Sequence, residues 1–88
     1  MLASRSPLVS ILIPLYNAEK LVANTIESAL YQTWPNKEII VVDDGSIDQS
    51  MAVAKRFSKQ GVRVYQQANS GASAARNKAF NLSSGQFI

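Results

Sequence analysis

The sequence contains no cysteine and no histidine, and each absence removes a class of chemistry. Without cysteine there are neither disulfides nor thiolate metal sites. Without histidine the commonest general base and metal ligand is gone. Any chemistry is left to carboxylates, lysine, tyrosine, hydroxyls and backbone groups. Charge is also sparse: nine Lys and Arg against six Asp and Glu give a net charge of +3. The basic residues are scattered, with no run dense enough to track a nucleic-acid backbone, so an anionic small ligand is the expected partner and nucleic acid is not. Long apolar runs are missing as well. The stretch "SPLVSILIPLYN" is interrupted by Ser10 and Pro14, too short to span a bilayer and without the features of a signal peptide. The default expectation is a cytoplasmic location with no membrane span.

What is present is globular material. Hydrophobic residues make up 47% and charged residues 17% of 88 residues, enough for one small domain or a piece of a larger one. Val9 to Ile13 reads as a strand buried on both faces and ended by Pro14. From Ala18 to Gln32 the apolar positions Val22, Ile26, Ala29 and Leu30 step by three and four, the pattern of an amphipathic helix, with Asn17 as its N-cap. Tyr31 and Trp34 read as packing residues, and Pro35 stops the helix. Glu38 to Val42 is a second strand. Ser46 lies three positions before Gln49, a capping-box spacing that opens a helix through Phe57, ended by Gly61. Val62 to Gln66 is a third strand. Ala72 to Leu82 is a third helix with a small-residue stripe at Ala72, Ala75 and Ala79. Ser84-Gly85 ends it, and "QFI" opens a fourth strand. The alternating order predicts a three-layer α/β/α fold on a parallel sheet with right-handed crossovers.

Ligands of such sheets bind beyond the carboxyl ends of the strands. Three loops meet that condition: "PLYN", "DDGS" and "ANSGAS". In "DDGS" an acid can accept hydrogen bonds from ribose hydroxyls or a base N–H, while an Asp-Gly turn followed by a serine cap accounts for the same residues without a ligand. The two readings are compatible, since only one of Asp43 and Asp44 is needed for the turn. Adjacent acids at a strand end point apart, which argues against a metal pair. In "NSGASAARN", Gly71 permits an unusual backbone angle, and the new helix offers N–H groups suited to phosphate, with Arg76 one turn further on. Tyr16 could stack on a base. Neither G-x-G-x-x-G nor a P-loop occurs, which argues against dinucleotide cofactors and ATPase chemistry.

Taken together, "VSILIPLYNAEKLVANTIESALYQTWPNKEIIVVDDGSIDQS" and "NSGASAARNKAF" resemble the N-terminal part of inverting family 2 glycosyltransferases of the GT-A fold. The resemblance runs from about Pro7 to Ile88. It implies a Rossmann-like nucleotide-binding half and transfer of a sugar from a nucleotide-diphosphate donor, commonly UDP-linked. Pro14 and Tyr16 match positions lining the base pocket, Asp44 the acid that contacts uracil or ribose, Asp43 its neighbour, and Arg76 a basic residue near the nucleotide. In the family a later D-x-D motif holds Mg²⁺ or Mn²⁺, and a later carboxylate is the general base. Neither occurs in these 88 residues, so the expectation is an incomplete domain, cut at its fourth strand, with no catalytic residue or metal site of its own. The alternative is a non-catalytic assembly module, a homo-oligomer paired through its open sheet edge.

Overall fold

The computed structural model describes residues 7–84 and 86–87. Gly85 and Ile88, assigned above to a helix end and a strand, lie outside the described residues. Four strands, β1 (Val9–Leu15), β2 (Lys37–Asp43), β3 (Arg63–Gln66) and β4 (Gln86–Phe87), alternate with helices α1 (Val22–Leu30), α2 (Ser50–Lys55) and α3 (Ala72–Leu82). All pairings are parallel, in the order β3-β2-β1-β4.

Strand alternation sorts the apolar residues into two cores. Ile13, Leu15, Ile39 and Val41 face α1 and α2, where Val22, Ile26, Ala29, Ala54 and Phe57 close over them. Ile40 and Val42 face α3, through Ala75 and Ala79. The three layers are therefore as expected, and burying a side chain such as Ile26 contributes about 1.5–3 kcal/mol. The first two crossovers move one way with their helices on one face. The third moves back with α3 on the other face, so all three share one hand, as right-handed connections require.

Several boundaries differ from the sequence reading for identifiable reasons. β1 continues through Pro14, which pairs in register with Val42. The Leu15 carbonyl accepts from the Asp44 N–H on the β2 side. By alternation Pro14 turns its missing N–H toward the other side, where among the described residues no strand pairs with it. α1 is shorter than expected, and Asn17 does not cap it: the Ala18 carbonyl starts the helical bonding by accepting from Leu21 and Val22. At its other end the Lys37 ammonium donates to the Leu30 and Gln32 carbonyls, which fixes where the helix stops. Ser46 does not cap α2; Asp48 accepts from the Ser50 N–H instead. α2 tightens into a 3-10 turn, Arg56–Gln60, before Gly61. Tyr31 is 81% exposed rather than packed, and Trp34 donates its indole N–H to the Pro7 carbonyl.

At the amino end of the sheet Glu38 gathers donors from three segments. Its carboxylate accepts from the Ser10 hydroxyl, the Ser84 N–H and Arg63, and Arg63 also reaches the Leu82 carbonyl and the Tyr65 hydroxyl. Burial pushes the Glu38 carboxyl up, but these donors together outweigh it and hold it below the ordinary carboxylate value. Glu38→Ala leaves the buried Ser10 hydroxyl without this acceptor and is expected to cost about 1–3 kcal/mol. Glu38→Gln, which keeps an acceptor, should cost less. Urea midpoints of the two variants measure the difference, and equal midpoints for parent and Glu38→Ala would contradict it.

Candidate functional site

The register sets Leu15, Asp43 and Gln66 side by side in one row across β1, β2 and β3. The three loops named from the sequence leave from this row, at the end where open parallel sheets bind ligands. Between them lies a cleft of about 500 Å³ lined by Pro14, Leu15, Tyr16, Ala18, Asp44, Asn69, Gly71 and Ala75. β1 supplies its floor, α3 one wall and the loops its rim.

Two hydrogen-bonded clasps hold the loops. In the first, Asp43 is fully buried at the end of β2. One of its oxygens accepts from the Ser46 N–H at 2.9 Å and the other from the Ser46 hydroxyl at 2.5 Å. The same hydroxyl accepts from the Asn17 N–H at 2.8 Å, and the Asn17 side chain accepts from the Ile47 N–H. Ser50 and Asp48 accept in turn from the N–H groups of Ala18 and Glu19. The segment leading into α1 is thus held by side chains between β2 and the first residue of α2, which a local capping rule does not reveal. Asn17 takes φ of 45°, left-handed backbone that costs a residue with a Cβ on the order of 1 kcal/mol.

The second clasp belongs to Asp44, which is 4% exposed. One oxygen accepts from the Gln67 side chain at 2.9 Å and the Ser70 N–H at 2.7 Å, the other from the Gly71 N–H at 2.9 Å. The Gln67 amide, the Ser70 N–H and the Gly71 N–H hold its carboxyl below the ordinary value against a smaller opposing effect of burial. Gly45, with φ of 79°, lets the two loops meet: a Cβ there would lie 2.9 Å from the Asn69 nitrogen.

Of the residues expected at a site, the structure brings Pro14, Tyr16 and Asp44 to the cleft. Asp43 sits directly behind it, with both oxygens engaged by Ser46. Arg76 is exposed and does not line the cleft, one position past Ala75 and so turned away by the helical step. Asp44 takes the N–H groups of Ser70 and Gly71, the two residues just ahead of α3. The sequence reading did not single out Leu15, Ala18, Asn69 or Ala75 as site residues. Only Asn69, polar and just ahead of a helix start, carried a signal. Among the described residues no group of three acids could hold a metal ion. Asp43 and Asp44 do not fit one as a pair, because each spends its oxygens on backbone and side-chain donors of different loops.

A sheet wound in both directions from β1, with its cleft at the carboxyl ends, defines an α/β protein of the class that binds ligands at a topological switch point. The chain belongs to glycosyl transferase family 2, whose profile matches residues 10–88. It is 42% identical over 82 residues to the glycosyltransferase YibD of Escherichia coli (strain K12), covering 91% of this chain and 24% of that protein. Its fold is similar to S. aureus TarS 1–349, with a TM-score of 0.81, 28% identity, and coverage of 91% of this chain and 26% of that one. It is also similar to glucosyl-3-phosphoglycerate synthase from Mycobacterium tuberculosis in complex with Mn²⁺, uridine-diphosphate and glucosyl-3-phosphoglycerate. There the TM-score is 0.65 at 25% identity, covering 99% of this chain and 34% of that one. The chain thus spans about a quarter to a third of these proteins.

Proposed function

We propose that this chain is the donor-binding portion of an inverting glycosyltransferase, which holds the nucleotide of a UDP-linked sugar destined for an acceptor hydroxyl. The observation that carries the reading is the cleft itself, with Tyr16, Pro14 and Asp44 converging at the carboxyl edge. An acceptor-only carboxylate held ionised there suits the imide N–H of a uracil or the hydroxyls of a ribose. The same negative charge, placed at the start of α3, disfavours a phosphate at that point and turns the base or ribose toward it. The similarity to a synthase bound to Mn²⁺ and uridine-diphosphate supports the donor and a divalent metal for the whole enzyme. The described residues do not fit that metal, so the proposal assigns them recognition without turnover. It takes the cytoplasm as the compartment by default.

Titration with UDP tests the reading. Tyr16 is 51% exposed, so Tyr16→Ala should shift stability by no more than about 0.5 kcal/mol. Loss of stacking should weaken UDP binding roughly 5- to 100-fold. Binding that is saturable and indifferent to Tyr16→Ala would overturn this placement of the base. The alternative, an assembly module, is favoured by one observation: among the described residues β3 pairs only with β2, leaving its outer side open. A concentration-dependent dimer that shows no saturable UDP binding would select it.

A further inference from the structure

We propose that Ser46 and Asn17 are positioning residues, which set nucleotide affinity through Tyr16 without themselves touching the ligand. The inference rests on the donor-binding reading above. Tyr16 and Ala18 both line the cleft, yet Asn17 between them does not; it lines a second groove, which Ala18 borders as well. The left-handed turn at Asn17 is what allows this arrangement. Among the described residues, Asn17 alone of the non-glycine residues has a positive φ.

That turn is held from both sides. The Asn17 N–H donates to the Ser46 hydroxyl, and the Asn17 carbonyl group of the side chain accepts from the Ile47 N–H at 2.9 Å. The Ser46 hydroxyl can accept from Asn17 in a fixed direction because its own proton is given to Asp43. Asp43 in turn is fully buried at the end of a central strand. A relay therefore runs from a buried acid through a hydroxyl to the backbone adjoining Tyr16. Tyr16 is half exposed, so its placement over the cleft depends on this backbone more than on side-chain packing. Strained backbone next to a ligand surface, held by surrounding bonds, is the arrangement expected where geometry must be preset.

A double-mutant cycle with UDP as the probe tests the relay. Ser46→Ala removes both hydroxyl bonds and should weaken UDP binding about tenfold, the size of one coupling of about 1.4 kcal/mol. Ser46→Thr keeps the hydroxyl and should restore affinity. In a Tyr16→Ala background, Ser46→Ala should have no further effect, because the group through which it acts is gone. Asn17→Gly adopts the left-handed turn freely but loses the Ile47 bond, and gives a second measure if Ser46→Ala does not fold; it should weaken UDP binding with the same dependence on Tyr16. Unchanged affinity in Ser46→Ala, or a loss that adds fully to that of Tyr16→Ala, overturns the relay while leaving the donor-binding reading intact. A parent chain with no saturable UDP binding overturns both.

Discussion

Asp44→Ala is expected to reduce UDP affinity by about 100-fold or more and to loosen the segment from Gln67 to Gly71, with the sheet left in place. One carboxylate takes up the Gln67 amide and the Ser70 and Gly71 N–H groups while lining the cleft. Its removal takes away the proposed ligand contact and the bonds that hold the opposite wall, and charged hydrogen bonds are among the stronger ones lost in such changes. Amide exchange at Ser70 and Gly71 should rise about tenfold or more, while exchange in β1 and β2 follows only global opening. Asp44→Asn is not a mild substitute, since its amide sets a donor against donors. Unchanged exchange at Ser70 and Gly71 in Asp44→Ala would refute the clasp. The same charge shapes the acid response. Asp44 is held low by Gln67, Ser70 and Gly71; Asp48 is held low chiefly by Ser50; and Glu38 is held low despite burial. With folded values below unfolded ones, the unfolded chain binds more protons in acid, so stability rises with pH. The contribution is complete above the ordinary carboxylate values of about 4 and is lost as pH falls through the lower folded values. Urea midpoints should therefore be level near neutrality and drop below about pH 4.

Gly45→Ala is expected to destabilise the fold by about 2–5 kcal/mol. Left-handed backbone with a Cβ costs about 1–2 kcal/mol, and overpacking adds about 1–3 kcal/mol. The second cost arises because the added carbon would lie 2.9 Å from the Asn69 nitrogen and 3.3 Å from its Cα, backbone atoms that cannot swing aside as a side chain would. For a domain of this size the sum lowers Tm by roughly 10 °C or more. Gly61→Ala is the control. Its φ of 88° is of the same sign, but nothing lies within 4 Å of the new carbon, so only the conformational cost of about 1–2 kcal/mol applies. Equal midpoints for the two variants would show that the loop contact at Asn69 is not tight. Because Asn69 also lines the cleft, Gly45→Ala should weaken UDP binding beyond its effect on stability.

The layers of this protein were legible in the sequence because they depend on local periodicity. Alternate residues of β2, Ile39 and Val41 against Ile40 and Val42, divide between two cores, and the three- and four-residue steps of Val22, Ile26 and Ala29 mark one buried helix face. The cleft at the carboxyl edge was legible in outline, since the carboxyl ends of parallel strands must share an edge. Which polar group meets which was not. Asn17 and Ser46 each match a local capping rule, yet they bond to one another across 29 positions. Arg76 was expected near the nucleotide from the resemblance, yet the helical step from Ala75 turns it from the cleft. Secondary structure follows from the apolar pattern that near neighbours impose. The partners of Asp43 and Asp44 follow from register, which aligns loops distant in sequence and so selects one donor among many for each carboxylate. That selection exists only once the sheet has formed.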